Sequence, residues 1–431
     1  MGLGILGRGV GVAEFLADCG AKLTITDLKS AKELRLSLKR LKKFKNIKFV
    51  LGRHRLEDFR GQDLIIKAAG VPIDSIFIKE ARKNKIPVEM DASLFARLAK
   101  GVKIIGITGT RGKSTTTHLL YKIIKNSGKR VFLGGNVKGV ATLPLLKKIK
   151  DGDIVILELD SWQLEGFGES KISPHIAIFT TFFPDHLNYY KGDMDRYFQA
   201  KANIYKYQNK NDLLFVSNQV AKIIKEKDKS NIKSKLIIVK KNIIPKNWKI
   251  NILGEHNLEN IALAVAVART LGVKEKIIKK SVEKFNGVFG RLELIRNLRG
   301  IKFYNDTTAT SPEATIAAVK SFKKYKNKII LIGGGADKNL DYKDYAKEVS
   351  KYVKFLILFD GEASEKIIKL LGKNKKNICK VKSMKEALNI AMKYARKGDI
   401  ILLSPGAASF GIFKNEFDRG EKFVRLVKKL K

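Results

Sequence analysis

Apolar positions in this sequence cluster into short runs, and most of the runs end at a glycine or a small polar residue. Val102-Lys103-Ile104-Ile105-Gly106-Ile107 shows the type, and Lys328-Ile329-Ile330-Leu331-Ile332 before Gly333-Gly334-Gly335 repeats it. Runs this short and this continuously apolar predict strands buried on both faces, as in a parallel sheet covered by helices. Residues 21–27, 63–67, 86–88, 154–157, 175–179, 355–360 and 399–404 read the same way. Helical stretches alternate with them: over 75–83, from about Lys113 onward, and in the Ala- and Val-rich segment after Asn257. This alternation predicts an α/β protein whose ligands bind at the carboxyl ends of its strands. The runs form three blocks, 1–100, 101–289 and 290–431, with Gly287 and Gly290 suggesting a hinge between the last two.

Composition narrows the class. A chain of 431 residues with 44% hydrophobic content can bury a sizeable core, spread over roughly two to four domains. No run approaches the ~18–20 apolar residues of a membrane span. Met1-Gly2-Leu3-Gly4 carries no basic region, which predicts no signal peptide. Cys19 and Cys379 lie far apart, with neither metal-ligand nor redox spacing, and read as buried small residues in a reducing compartment, the cytoplasm. The net charge of +44 has two readings: a lysine-rich bias over the whole surface, or a field that serves a polyanion. Lysines over 39–48, 222–241 and 366–376 form no single tail and interleave with no aromatic motif, so nucleic acid is the less favoured partner.

The strongest chemical signal is Gly106-Ile107-Thr108-Gly109-Thr110-Arg111-Gly112-Lys113-Ser114. A strand delivers the chain to a loop whose N–H groups can wrap phosphate oxygens, and a helix then starts near Lys113. Lys113 suits the β- and γ-phosphates of a nucleotide, and the Ser114 hydroxyl suits Mg²⁺. The spacing departs from the strict phosphate-loop pattern, because Ile107 stands where the first glycine belongs and Gly106 is one residue early. Glu158 ends an apolar strand and can ligate the metal directly or through water. His186, in Phe183-Pro184-Asp185-His186-Leu187-Asn188, falls in a polar loop on the same presumed ligand edge.

In order along nearly the whole chain, these motifs resemble the Mur ligase family, and within it the branch that adds D-glutamate. Residues 109–115 resemble its ATP loop, and Gly134-Gly135-Asn136 its turn near the γ-phosphate. Glu158-Leu159-Asp160-Ser161-Trp162-Gln163-Leu164-Glu165 is similar to the branch signature. Asp185-His186-Leu187, Ala200-Lys201-Ala202-Asn203-Ile204, residues 254–260, Arg291-Leu292-Glu293, residues 305–310 and Ser404 to Gly420 match further family elements. The resemblance implies three α/β domains: an N-terminal Rossmann-like domain for a UDP-linked substrate, a central ATPase-type parallel sheet, and a C-terminal Rossmann-like domain for the amino acid. It implies an ATP-dependent ligase that works through an acyl phosphate on UDP-linked muramoyl-alanine and D-glutamate, as a monomer. The implied cofactors are ATP and two Mg²⁺ ions, one by Ser114 and Glu158 and one by His186 and a carbamylated Lys201.

The same resemblance implies that Gly109, Thr110, Arg111, Gly112, Lys113, Ser114, Thr115, Asn260, Arg291 and Asp306 contact ATP. Asn136 and His186 would lie near the muramoyl group, Asp27 near the uridine, and Ser161 and Gln163 near the nucleotide-linked end. Thr310, Lys338 and Ser409 would hold the amino acid's carboxylates, with Phe413 lining that pocket. The sequence departs from the branch in four places. It begins inside Gly2-Leu3-Gly4-Ile5-Leu6-Gly7 without the strand expected before it; Thr308 stands for a common Lys; Gly290 stands for a common His; and Glu416-Phe417 reverses the usual order. A folylpolyglutamate-synthase-like ligase, a nucleic-acid-dependent ATPase and a non-catalytic module that kept the fold are the competing readings. The first block argues against the first of these. Joint retention of Lys113, Glu158, His186 and Lys201 argues against the last.

Overall fold

The computed structural model of the chain describes every residue except 6, 138, 187, 188, 253, 338 and 373–376. Lys338, Leu187 and Leu6 of the motifs above therefore lie outside the described residues. The chain divides into two compact units, one of Met1–Trp248 with Leu258–Val282, the other of Lys249–Asn257 with Glu283–Lys431.

The first unit opens with α1 (Arg8–Asp18), β1 (Leu23–Asp27), α2 (Arg35–Leu41), β2 (Ile47–Leu51), β3 (Ile65–Ile66), α3 (Ile76–Lys83), β4 (Val88–Glu89) and α4 (Asp91–Leu98). The strands form two parallel pairs, β1 with β2 and β3 with β4. Met1 and Gly2 run between the pairs: Gly2 N donates to Thr26 O, Ala68 N to Met1 O, and the terminal ammonium to Ile66 O. α4 ties this region to the next sheet. Its first residue, Asp91, is buried and accepts from Thr142 N at 2.8 Å and Leu143 N at 2.7 Å, while Ala92 and Phe95 join the core around Leu143, Val155 and Leu157.

The second part of this unit comprises β5 (Lys103–Thr108), α5 (Lys113–Asn126), β6 (Val131–Gly135), β7 (Ile154–Glu158), α6 (Ser161–Glu169), β8 (Ile176–Phe179), α7 (Met194–Ala202), β9 (Leu213–Ser217), α8 (Asn218–Lys227), β10 (Lys235–Val239), α9 (Glu255–Thr270) and α10 (Glu275–Glu283). Its six strands are all parallel, in the order β10-β9-β8-β5-β7-β6. The continuous apolar runs become the central strands: β7 and β8 are buried at every position and β5 at all but its first. Chain order reverses around β5, so the loop after it opens at the switch point where such sheets bind ligands. The helix expected after Asn257 starts at Glu255, two residues earlier.

The second unit holds β11 (Glu293–Leu298), β12 (Ile301–Asn305), α11 (Pro312–Ser321), β13 (Ile329–Gly334), α12 (Lys343–Tyr352), β14 (Val353–Phe359), α13 (Glu362–Leu371), β15 (Ile378–Val381), α14 (Met384–Tyr394), β16 (Ile400–Leu403) and α15 (Glu416–Lys429). The sheet order is β11-β12-β16-β13-β14-β15, with β11 antiparallel at the edge and the rest parallel. Apolar clusters cover both faces, one around Phe303, Ile357 and Phe423, the other around Tyr304, Leu356 and Ile367. No described helix is long and apolar enough to cross a membrane. The cysteines correct the sequence reading. Cys19 is exposed, because it caps the C-terminal end of α1, and Cys379 is half-buried on the edge strand β15.

Candidate functional site: a phosphate loop with a buried lysine

The loop between β5 and α5 is held by conformations that only glycine tolerates. Gly109 has φ +143°, and a Cβ there would lie 2.0 Å from Thr180 Oγ1. Gly112 caps α5 at φ +88°, and its Cβ would lie 2.1 Å from Asn260 Oδ1. The loop's polar groups are fixed from the next strand end: Thr110 N donates to Thr181 O, Arg111 N to Thr181 Oγ1, and Thr180 Oγ1 to Arg111 O. Thr110 Oγ1 also lies 3.3 Å from the Tyr197 hydroxyl. Thr115 is buried in the first turn of α5, and Thr116 donates to the Asn260 carbonyl at 3.4 Å, so α9 packs behind the loop.

Two lysines converge on one oxygen. Lys113 Nζ donates to Gly109 O at 2.8 Å and to Thr110 O at 3.2 Å. Lys201 Nζ, on α7, donates to the same Gly109 O at 3.2 Å. Lys201 is 1% exposed. Burial, reinforced by the charge of Lys113, holds its amine well below the usual lysine range, against the opposing pull of Asp160 and Asp185. Burial thus favours the neutral amine, the form that combines with CO₂.

Behind the loop, Ser114 Oγ donates to Glu158 Oε1 at 3.0 Å, with both residues buried. A hydroxyl and a carboxylate are the hard oxygen donors Mg²⁺ takes, so this pair fits the ion. His186 lies across Tyr197 from Lys201: Lys201 Nζ is 5.0 Å from the Tyr197 ring centre, and the His186 and Tyr197 rings are 6.2 Å apart. His186 adopts φ +54°, packs with its ring tilted 52° and centred 4.7 Å from that of Trp162, and has its basicity lowered chiefly by burial. This second pair fits Mg²⁺ only once Lys201 carries oxygens, because that ion takes oxygen donors rather than an amine. Among the described residues no cluster of three or more His, Cys, Asp or Glu groups is preassembled.

Of the residues expected to meet a nucleotide-linked substrate, Asn136 comes to the site's edge. Its backbone N donates to Glu158 O at 2.6 Å, and its side-chain Oδ1 accepts from Arg8. Asp27 ends β1 buried, accepting from Gly4 N at 2.9 Å and Lys29 N at 2.8 Å, and so anchors the glycine-rich turn. Ser161 and Gln163 are buried in the first turn of α6. Gln163 has a local task there: with Asp160 it forms a reciprocal cap on α6.

In the second unit, Asp306 is buried at the end of β12, accepting from Leu292 N at 3.1 Å and Ser404 Oγ at 2.7 Å. Arg291 is exposed just before β11, and Thr310 is half-buried. Ser409 is buried in the loop after β16. Phe413 packs edge-on against Phe359 at 5.0 Å and belongs to the core. Arg419 is wholly buried, donating to Thr307 O at 2.9 Å, Thr307 Oγ1 and Ala407 O. It therefore joins the loops that carry Asp306 and Ser409.

Residue-level reading missed Arg8, Thr180, Thr181, Tyr197 and the pair Lys67 and Glu165. Lys67 is 3% exposed, donates to Val71 O at 2.9 Å, and is pushed down to about 8 by burial, against the charges of Glu165 and Asp160. Glu165 accepts from the Tyr189 hydroxyl at 2.8 Å and is pushed up by its own burial. The one available signal was the position of Arg8, directly after the glycine-rich turn.

Comparison with known proteins gives the family. Residues 107–242 match the Mur ligase middle domain, and residues 290–406 match the Mur ligase glutamate ligase domain. The UDP-N-acetylmuramoylalanine--D-glutamate ligase of Roseiflexus sp. is 37% identical, over 99% of this chain and 97% of its own. UDP-N-acetylmuramate-alanine ligase MurC of Thermotoga maritima superposes with a TM-score of 0.62 at 18% identity, covering 100% of this chain and 98% of that one. The MurF ligase of Thermotoga maritima, in complex with ADP, gives 0.60 at 18% identity, covering 87% and 96%. The chain belongs to the Mur ligase family.

Proposed function

We propose that this chain is the ATP-dependent ligase that adds D-glutamate to UDP-N-acetylmuramoyl-L-alanine in the making of peptidoglycan precursors. The observation that carries the reading is the convergence of Lys113 and buried Lys201 on one loop carbonyl beside the Ser114–Glu158 pair. The full-length likeness to a D-glutamate ligase supplies the substrates.

The reaction needs anions brought together more than it needs covalent help from the protein. A carboxylate oxygen of the muramoyl-alanine attacks the γ-phosphorus, the bond to the β-phosphate oxygen breaks, and ADP departs. The amine of D-glutamate then attacks the acyl phosphate carbonyl and loses a proton, and inorganic phosphate leaves with the carbon–oxygen electron pair. The amides of Gly109 to Thr115 cradle the phosphates, Lys113 neutralises them, and Asn260 braces Gly112. Arg291 and Asp306 also serve the nucleotide. Bound at Ser114 and Glu158, and at His186 with Lys201, Mg²⁺ would screen the phosphate oxygens. Lys201 would take up CO₂ as a carbamate, releasing a proton, and so present oxygens in place of an amine. Asn136 and His186 orient the muramoyl end, and Asp27, Ser161 and Gln163 shape the nucleotide end. Lys338, Thr310 and Ser409 hold D-glutamate, with Phe413 behind them. Residues 1–100, 101–289 and 290–431 act as the nucleotide-substrate, ATP and amino-acid domains of a cytoplasmic monomer.

The test is phosphate release with ATP, Mg²⁺ and UDP-N-acetylmuramoyl-L-alanine across a panel of D- and L-amino acids. Stimulation by D-glutamate alone, lost in Lys113→Ala, is the expected result. Stimulation by a different amino acid would move the branch. Hydrolysis raised only by polynucleotide would sink the ligase reading.

A further inference from the structure

Gly290 and Thr308, two of the departures from the branch pattern, meet in the structure. The Gly290 carbonyl accepts from Thr308 N at 3.1 Å and from Thr308 Oγ1 at 2.8 Å. Gly290 has φ +72°, and a Cβ there would lie 2.8 Å from Thr307 Cγ2 and 3.2 Å from Thr308 Cγ2. A side chain at 290 and these two threonines therefore crowd each other out, so the two departures belong to one arrangement. Its effect falls on the next residue, Arg291. Arg291 N donates to Val288 O at 3.0 Å, and beyond it Leu292 N donates to Asp306 Oδ1 at 3.1 Å. Leu292 has φ +46°, a conformation that a non-glycine residue keeps only where its surroundings hold it. Gly290 N is held as well, by Glu293 Oε2 at 3.1 Å, and that oxygen also accepts from Asn305 Nδ2 at 3.2 Å. The backbone around exposed Arg291 is thus gripped on both sides by the 305–308 loop, at Gly290 by Thr308 and at Leu292 by Asp306.

We infer that Thr308 is a positioning residue: its hydroxyl fixes the Gly290 carbonyl and so holds Arg291 in the orientation that binds the nucleotide. This rests on the proposed reading that Arg291 serves the nucleotide. Two donors from one residue, filling both lone pairs of one carbonyl, set its direction as well as its distance. The N–H alone would leave the peptide between Gly290 and Arg291 freer to rotate.

The experiment is calorimetric titration with ADP and Mg²⁺ of wild type, Thr308→Val, Thr308→Ser, Arg291→Ala and the double variant Arg291→Ala with Thr308→Val, each one's folding checked by thermal melting. Valine keeps the branched shape and removes the hydroxyl, so Thr308→Val should weaken ADP binding about three- to tenfold in a chain that still folds. Thr308→Ser, which keeps the hydroxyl, should bind as wild type does. In the Arg291→Ala background the valine should cost nothing further, because Thr308 acts through Arg291. Equal losses in the two backgrounds, unchanged affinity in Thr308→Val, or a loss in Thr308→Ser as large as in Thr308→Val would overturn the assignment. If Arg291→Ala weakens ADP and the losses add, the Thr308 assignment alone fails. If Arg291→Ala binds ADP as wild type does, the reading of Arg291 fails and takes the assignment with it.

Discussion

Ser114 and Glu158 share a 3.0 Å hydrogen bond in the interior of the first unit, joining the first turn of α5 to the last residue of β7. A carboxylate and a hydroxyl side by side offer the hard oxygen donors that a divalent cation takes. Glu158→Gln keeps the shape and removes the charge. It should cut the rate of ADP formation by ~10²-fold or more and raise the Mg²⁺ concentration needed for half-maximal rate. A Mg²⁺ titration of both proteins reads this directly, and an unchanged midpoint would refute the assignment.

Gly112→Ala tests the loop. The new Cβ would meet Asn260 Oδ1 at 2.1 Å in a backbone conformation of φ +88°. The expected cost is about 1–3 kcal/mol of stability, with weakened ATP binding, because α9 must move away from the loop. Thermal melting with and without ATP would show both effects.

Lys201 is predicted to act as its carbamate. Lys201→Ala should lose most activity, and acetate or formate should restore part of it by supplying carboxylate oxygens to the space left behind. Lys201→Arg, which keeps a cation, should not rescue. Rates in CO₂-depleted buffer, falling for wild type and recovering with bicarbonate, complete the test. Activity of Lys201→Arg near wild type would refute it.

Lys67 makes stability depend on pH. Its amine is held at about 8 in the folded chain, below the ordinary lysine value of 10.5. Between those values the unfolded chain binds more protons, so folding stability rises with pH through that window, and below it the cost of burying the ammonium is fully present. Wild type should therefore gain on Lys67→Met by up to about 3 kcal/mol from pH 8 to pH 10.5. Parallel denaturant curves at the two ends of the window would measure it; a constant difference would exclude Lys67 as the cause.

The parts of the site that sequence made legible are those where the chemistry is local. β5, its glycine loop and α5 follow one another within some twenty residues, and Glu158 announces itself as an acid closing an apolar run. Gln163 was read only through the resemblance, as a residue near the substrate's nucleotide-linked end; its local task, the reciprocal cap with Asp160 on α6, came from the structure. Arg8, Thr180 and Lys67 could not be read, because their partners are set by packing: Arg8 meets Asn136, and Thr180 meets Arg111, across long stretches of chain. The antiparallel edge strand β11 escaped notice because Glu293, Arg296 and Asn297 break its apolar pattern. Cys19 was misplaced because hydrophobic character alone was weighed, not its position one residue past a helix end.

The first unit includes Leu258–Val282, although Lys249–Asn257 before it belongs to the second. Asn260 braces Gly112, and Ser281 receives the Asn126 side chain at 2.9 Å. During synthesis, then, the phosphate loop stays unfinished after all six strands of its sheet have emerged. A ribosome must extend the chain past residue 282 before α5 gains its last support, so a nascent chain stalled near residue 250 would expose an apolar helix face to chaperones.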